Sequence, residues 1–308
     1  MPELPEVEVL VRHLAPLLQN KIVRNVRVRG PRVLAPTSAR RLRKTLQGTT
    51  FIGLTRRGKY LLFTLRPADS VQALLLVGHL GMTGRMYLAS AEAPLAKHAA
   101  VVLNLGRENF VFEDTRYFGR FTLDDTAIGK LGPEPLGAAF TPEYLVRTLK
   151  HSAQAIKTKL LDQSLVAGIG NIYANEALFR AGIMPTLQAR NLTLEQAKSL
   201  WAAIRKVLSE AVECGSTAPL SYSGRGAGDR FFYFGRAPVA PAFYLERLQV
   251  YDRAGQPCVN CGRLIERLVQ ASRSTYFCPR CQATDREKDK SKAGSRGRAK
   301  PELVGTSC

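Results

Sequence analysis

The segment LVAGIGNIYANEALFRAGI at residues 165–183 places a Gly-x-Gly turn between two short helical patterns. The first pattern occupies residues 155–163, and the second runs over residues 171–182 and is closed by Gly182. A glycine turn that leads into a helix exposes backbone N–H groups, which suits binding of a phosphate. Tight packing of the two helices would require the same glycines, so this segment alone supports both interpretations.

Two further helical patterns flank this segment and indicate a helical domain over residues 141–215. Thr141 is placed as the N-cap of the first, with proline at the next position. The longest amphipathic pattern opens on a capping box formed by Thr193 and Gln196, and Gly215 is its predicted end.

The residues before this domain have a different periodicity. A helix over residues 5–18 has apolar side chains on one stripe and a proline in its first turn. Short β-type runs separated by turn residues follow, and they predict an antiparallel sandwich or barrel. These runs are residues 21–28, 50–57, 59–65, 71–78, 99–105, 109–114 and 117–123. We expect an N-terminal β-sandwich domain over residues 1–130 and a Gly/Pro-rich linker over residues 131–140.

Four cysteines near the C-terminus have the spacing of a zinc site. Cys258, Cys261, Cys278 and Cys281 form a C-x2-C-x16-C-x2-C pattern within a module at residues 249–283. Two thiolate pairs at this spacing close a tetrahedral structural Zn²⁺ site, and the segment between them alternates like a β-hairpin. The alternative is four reduced cysteines without metal. Cys214 and Cys308 lie outside the pattern and are interpreted as free thiols.

Two segments carry little sign of a packed core. Residues 216–248 mix glycine, proline, arginine and aromatic residues, which predicts a long variable loop or a β-insertion. Its length alone makes this segment a candidate for function. Residues 284–308 are rich in charge and glycine, and we expect a disordered, mildly basic tail.

Overall charge indicates a polyanionic partner. The chain has 308 residues with 45 Lys and Arg against 25 Asp and Glu, a net charge of +20. Nucleic acid is the leading candidate, ahead of a membrane surface or an acidic protein. The alternative interpretation is that the charge only aids solubility. No apolar run is long enough to span a bilayer, and the start does not have the pattern of a secretory signal.

Several single residues are candidates for DNA contact. Lys59 lies at a turn entering a strand, and Met82 lies in a glycine-flanked loop where it can act as a wedge between bases. His98, Arg116 and Phe118 add a cation and an aromatic ring that can stack on bases. Each is ordinary on its own, and Lys59 alone would be a solvated surface residue.

Together these features resemble the bacterial formamidopyrimidine-DNA glycosylases, which are relatives of endonuclease VIII. The matching pieces are PELPEVE, RRGKYLL, HLGMTG, KH, DTRYFG, GIGNIYANEALFRAGI and SRSTYFC, in the order of the family between residues 2 and 281. The resemblance implies an α+β protein: an N-terminal β-sandwich opened by a catalytic helix, then a helical domain with a helix–two-turn–helix and a zinc finger. DNA would lie between the two domains.

The resemblance also assigns roles to individual residues. Pro2 matches the nucleophile, Glu3 the acidic catalyst, Lys59 the β-elimination lysine and Arg273 the arginine of the finger. Met82, Arg116 and Phe118 match the side chains that fill the void left by a flipped base. His98, Asn171 and Arg273 match phosphate contacts, and one structural Zn²⁺ is the implied cofactor.

The implied activity is base-excision repair of oxidised purines in double-stranded DNA by a monomeric, cytoplasmic bacterial enzyme associated with the nucleoid. It would proceed through a Pro2 Schiff base with β,δ-elimination at the abasic site. Residues 216–245 depart from the family pattern, and Tyr117 stands where the family often has a second arginine. Two alternatives remain open: an endonuclease VIII-like preference for oxidised pyrimidines, and a damage-binding protein without turnover.

Overall fold

The computed structural model describes residues 2–214 and 247–283. Its N-terminal part begins with a helix and continues into two four-stranded antiparallel sheets. In chain order the elements are α1 (Leu4–Leu18), β1 (Asn25–Val28), a 3-10 turn (Pro31–Leu34), α2 (Ala39–Leu46), β2 (Thr50–Arg57), β3 (Tyr60–Arg66), β4 (Leu74–His79), β5 (Arg85–Ser90), β6 (Ala99–Asn104), β7 (Glu108–Glu113) and β8 (Arg120–Thr122).

The two sheets form the predicted sandwich. One has the strand order β1-β6-β7-β5 and the other β2-β3-β4-β8. Their facing sides bury one apolar cluster in which Phe63 packs edge-on against Phe51, Phe110 and Phe121. Packing of sheet on sheet through alternating inward residues explains why the short runs with turn residues between them are stable.

Two elements of this domain are absent from the sequence prediction. Strand β5 follows the Met82 loop and pairs with β7, with Met86 and Leu88 turned into the core. Helix α2 buries only Leu42 and Leu46, because the other positions are mostly cationic. Both elements owe their stability to tertiary packing and pairing rather than to a strong local pattern.

The C-terminal part is helical, as predicted. It contains α3 (Pro142–Leu149), α4 (Ile156–Leu160), α5 (Asn171–Arg180) and α6 (Leu194–Glu213). The hydroxyl of Thr141 caps α3, and Thr193 and Gln196 form the predicted capping box of α6. Gly182 adopts φ +66° after α5, as the C-terminal stop required. Cys214 is the C-cap of α6 and is a free thiol, whereas Gly215 lies outside the described residues.

A two-stranded hairpin formed by β9 (Glu266–Gln270) and β10 (Arg273–Phe277) ends the described chain. Residues 216–246 of the predicted variable loop and the predicted tail with Cys308 lie outside the described residues. Among the helices that the structure does describe, none combines the length and apolarity that crossing a bilayer requires.

Helix α1 joins the two halves of the molecule. Leu4, in its first turn, is buried in the apolar core of the helical half. From Val7 onward the buried side chains of the same helix belong to the core of the sandwich. The chain terminus is therefore held at the boundary between the two halves.

Candidate active site

The first residues of the chain are fixed by the start of α1. The Glu3 N–H donates to the Glu6 carboxylate at 2.8 Å, and the Leu4 N–H donates to the Gly168 carbonyl at 3.0 Å. Pro2 is half-buried directly before this anchor. The end of the chain is thus presented in one orientation rather than as a frayed terminus.

The buried carboxylate of Glu3 faces the Gly-x-Gly turn. It accepts hydrogen bonds from the Gly170 N–H at 2.7 Å and the Ile172 N–H at 2.9 Å, at the N-terminus of α5. The expectation that these N–H groups are available to a phosphate is therefore wrong for Gly170 and Ile172. The positive end of the helix stabilises a protein carboxylate instead.

Close packing accounts for both glycines of the turn. A Cβ atom at Gly170 would lie 2.2 Å from Cδ of Glu3, and one at Gly168 would lie 2.6 Å from Cδ1 of Leu4. Gly168 also has φ +91°, a conformation that favours glycine. The packing interpretation of the sequence is therefore the one the structure supports, with α1 as the partner.

Lys59 lies next to this carboxylate on the turn between β2 and β3. Its side chain is buried, and burial lowers the pKa of its ammonium, while the nearby Glu3 carboxylate acts in the opposite direction. Burial raises the pKa of Glu3, opposed by the charge of Lys59. Burial therefore favours the neutral form of each group. The free-energy difference between the charged and the neutral form of each side chain is smaller here than in water.

The turn that carries Lys59 is held by a carboxylate that the sequence analysis missed. Glu134 accepts from the Gly58 N–H at 2.6 Å and from the guanidinium groups of Arg56 at 2.8 Å and Arg57 at 3.0 Å. Arg56 also bonds to Glu8 of α1 at 2.8 Å. An acidic residue in the predicted linker was the only available signal.

Arg273 reaches this region from the hairpin. It is exposed. Burial is the main cause that lowers the pKa values of both Lys59 and Lys157, and the charge of Arg273 acts in the same direction. Lys157, on α4, is another functional candidate that sequence reasoning missed, because an AIKTKL pattern does not show which lysine is buried. Its Nζ donates to the Ser274 carbonyl at 2.8 Å and to Thr275 Oγ1 at 2.7 Å.

Asn171, predicted as a phosphate contact, also supports the hairpin. Its side-chain Nδ2 donates to the Ser274 carbonyl at 3.0 Å, and its residue is half-buried. The structure therefore gathers Pro2, Glu3, Lys59, Asn171 and Arg273 around the N-terminus of α5.

A second group of predicted residues lies on the loops of the sandwich. Met82 is 45% exposed and Phe118 is 53% exposed, although both are large apolar side chains. The guanidinium of Arg116 lies 4.8 Å from the ring centroid of Phe118. His98 is half-buried on the segment before β6. An exposed cation–π pair beside an exposed methionine is suited to stacking on nucleobases.

Tyr117 has a structural role in this loop. It adopts φ +55°, and its ring lies so close to Gly30 that a Cβ at Gly30 would be 2.4 Å from Cε1 of the ring. The side chain therefore packs against the sandwich, and it is partly buried beside the apolar core.

The four predicted zinc ligands converge. The Sγ atoms of the four cysteines lie within 4.8 Å of one another, with Cys258 and Cys281 3.8 Å apart and Cys261 and Cys278 3.5 Å apart. Tetrahedral Zn–S bonds of about 2.3 Å place neighbouring sulfurs about 3.8 Å apart. Backbone N–H groups of Asn260 and Cys281 point at two of the sulfurs at 3.4 Å. The donor set fits one structural zinc ion.

Family models match three parts of the chain. The formamidopyrimidine-DNA glycosylase N-terminal domain matches residues 1–121, and the H2TH domain of the same enzymes matches residues 131–221. A zinc finger found in FPG and IleRS matches residues 255–284.

Individual proteins give the same result. Formamidopyrimidine-DNA glycosylases of Desulfitobacterium hafniense and Thermus thermophilus are each 41% identical to this chain, over 92% of it and 100% and 98% of their own lengths. The Lactococcus lactis enzyme, solved with DNA containing an abasic site, is 32% identical, with a TM-score of 0.80 over 92% of this chain and 100% of that one. The chain belongs to the formamidopyrimidine-DNA glycosylase family.

Proposed function

We propose that this protein is a bifunctional DNA glycosylase and abasic-site lyase that removes oxidised purines during base-excision repair. The observation that carries the proposal is the convergence of Glu3, Lys59 and Arg273 on the anchored terminus at Pro2. Relatives named formamidopyrimidine-DNA glycosylase, and a Lactococcus lactis variant solved with DNA containing Fapy-dG, support the same substrate class.

Pro2 is the proposed nucleophile. Removal of Met1 leaves a secondary amine at the chain terminus, and an α-amino group titrates near pH ~8, well below lysine at ~10.4. A useful fraction is therefore neutral at pH 7 and able to attack C1′ of the deoxyribose. The bond from C1′ to the damaged base breaks, and the base departs with the electron pair. The C1′–O4′ bond of the sugar ring then opens, O4′ takes up a proton, the Pro2 nitrogen loses its own, and an iminium joins Pro2 to the ring-opened sugar.

Glu3 and Lys59 are the proposed acid–base groups. The buried carboxylate of Glu3 lies next to the terminus and can transfer protons at the sugar. The iminium acidifies the C2′ proton, and its removal by a neutral amine expels the 3′ phosphate, followed by the 5′ phosphate in δ-elimination. Burial lowers the pKa of Lys59, which favours that neutral amine.

Arg273, His98 and Asn171 are the proposed phosphate contacts. The exposed guanidinium of Arg273 supplies a charge at the mouth of the site. Asn171 also fixes the hairpin that presents this arginine. Zinc, held by the four cysteines, would stabilise the same finger without taking part in the chemistry.

Met82, Arg116 and Phe118 are proposed to fill the gap in the duplex when the damaged nucleotide leaves the stack. Extrusion of a base costs a few kcal/mol, and side chains that occupy the gap offset this cost. The exposure of Met82 and Phe118 and the cation–π contact of Arg116 support this role.

Trapping with borohydride tests the proposal. Borohydride reduces the iminium to a stable amine, so duplexes with 8-oxoguanine, a formamidopyrimidine or an abasic site should become covalently linked to the protein. Pro2→Gly should reduce this adduct, and Glu3→Gln should lower excision while the fold is retained. Absence of an adduct with every lesion would support the damage-binding alternative.

A second substrate class has one specific observation in its favour. The Lactococcus lactis enzyme has also been solved with DNA containing an oxidized pyrimidine. A duplex with thymine glycol in the same trapping experiment separates the two preferences, because the lesion that is trapped fastest identifies the main substrate.

The domain division is part of the proposal. We place the catalytic sandwich at residues 1–130, the linker at 131–140, the helical DNA-binding domain at 141–215, the lesion-recognition loop at 216–248 and the finger at 249–283. We also propose that the enzyme acts on chromosomal DNA in the bacterial cytoplasm, because its proposed substrate is DNA.

A further inference from the structure

A buried carboxylate lies beneath the loops that carry the exposed methionine and the cation–π pair. Asp114 follows β7 directly and is 0% exposed. Its Oδ1 accepts from Thr83 Oγ1 at 2.6 Å and from the Arg116 N–H at 3.1 Å, and its Oδ2 accepts from the Gly119 N–H at 2.8 Å. A carboxylate with three donors of this kind is well compensated for its loss of water.

The partners of Asp114 belong to three separate segments. Thr83 is the residue after Met82, and Arg116 and Gly119 bracket Phe118. The backbone N–H of Asp114 donates to the His98 carbonyl at 3.1 Å, which adds the third segment. Asp114 therefore forms hydrogen bonds with all three segments that carry the DNA contacts predicted for the sandwich. These contacts are Met82, His98, Arg116 and Phe118.

The local conformation of these loops requires such a support. Gly81 has φ +60°, and a Cβ there would lie 2.6 Å from the backbone nitrogen of Gly119, so the two loops are in backbone contact. Tyr117 has φ +55° without being glycine. Gly81 adopts this backbone without penalty, but the loop of Tyr117 would not keep its conformation from its own preferences, because left-handed backbone is disfavoured for residues with a Cβ.

We propose that Asp114 is a positioning residue that holds Met82 and the Arg116–Phe118 pair as one preset wedge before DNA is bound. The inference rests on the proposed void-filling role of those three side chains. A preset wedge avoids the ordering cost that two independent loops would incur in the complex. Asp114 touches neither the sugar nor the reacting atoms in this scheme.

Substitutions of Thr83 test the link while Asp114 stays intact. Thr83→Val removes the hydroxyl at nearly constant volume, Thr83→Ser keeps it, and Asp114→Asn places an N–H₂ group against a backbone donor. Asp124→Asn is the matched control, because Asp124 accepts from Thr126 Oγ1 at 3.0 Å in an exposed pair of the same type. Circular dichroism and melting temperature identify any variant that fails to fold.

Two substrates separate positioning from chemistry. Excision from a duplex with a formamidopyrimidine needs the wedge, whereas borohydride trapping on a single-stranded abasic oligonucleotide has no gap to fill. We expect Thr83→Val and Asp114→Asn to lose about tenfold to a hundredfold on the duplex, the range for a displacement near 1 Å, and to trap the single strand normally. Thr83→Ser and Asp124→Asn should behave as the unchanged protein.

Two results would overturn the inference. Unchanged duplex excision by Thr83→Val and Asp114→Asn would show that the loops keep their arrangement without the carboxylate. An equal loss on both substrates would show a general structural role. Failure of the unchanged protein to trap either substrate is a different outcome, since it would refute the proposed lyase chemistry instead.

Discussion

Replacement of Gly170 by alanine is a sharp test of the role of Glu3. Gly170 has φ −125° and ψ −160°, which alanine also adopts, so the substitution introduces no backbone strain. The added methyl group would lie 2.2 Å from Cδ and 2.4 Å from Oε1 of Glu3. The perturbation is therefore confined to the position of one carboxylate.

The expected magnitude follows from these distances. Ordinary contact with a Cβ begins at 3.4 Å, so the carboxylate must retreat by about 1 Å. The hydrogen bond from the Gly170 N–H, now 2.7 Å, would then exceed the limit of about 3.2 Å for such bonds. Overpacking of this kind costs about 1–3 kcal/mol of folding stability, and a 1 Å misplacement of a catalytic group costs about a hundredfold in rate.

Single-turnover excision of a formamidopyrimidine, followed by gel analysis of the cleaved strand, is the assay. Gly129→Ala is the control, because a Cβ at Gly129 meets nothing within 4 Å. Glu3→Asp combined with Gly170→Ala should recover part of the rate, since the shorter side chain leaves room for the methyl group. A folded Gly170→Ala protein with an unchanged rate would refute the assignment of Glu3 as the proton-transfer group.

Three further perturbations have defined outcomes. Cys261→Ser should abolish zinc binding at the four-cysteine site, which metal analysis checks. It should also reduce strand cleavage about tenfold or more in a cleavage assay, because the hairpin that carries Arg273 loses its support. Burial raises the pKa of Glu3, and its ionised form accepts the two N–H groups of α5. Excision should therefore increase with pH through a limb above the ordinary glutamate value of about 4.3, and Glu3→Gln should lack that limb in a pH–rate profile. Gly30→Ala should cost about 1–3 kcal/mol in thermal unfolding by collision with the ring of Tyr117. The cost should be smaller in a Tyr117→Leu background, and equal costs in both backgrounds would contradict this contact.

Local sequence signals predicted the elements whose ends carry their own caps. Thr141 and Thr193 accept the hydrogen bonds expected of N-caps, and Gly182 has the left-handed conformation of a helix end. The cysteine spacing predicted the hairpin and the four converging sulfurs for the same reason, because a metal site imposes strict local geometry. Such features depend on few neighbours and are therefore visible in the sequence.

The features that sequence reasoning missed depend on distant partners. Helix α2 has only two buried positions, and β5 is stabilised by pairing with β7. Glu134 and Lys157 are ordinary polar residues in sequence, and they become significant only where they hold the Lys59 turn and the Arg273 hairpin. The sequence located the glycine turn correctly but not its partner. Gly170 donates to Glu3, which is 167 residues away along the chain.

The contact between Glu3 and the glycine turn also explains why an acidic segment opens a basic protein. The same carboxylate that we assign to proton transfer caps α5, and the adjacent Leu4 is buried in the core of the helical half. The residues that position the chain terminus therefore also connect the two halves of the molecule. A charge of the opposite sign at residue 3 would face the positive end of α5 and the buried Lys59, so a glutamate there serves the fold and the site together.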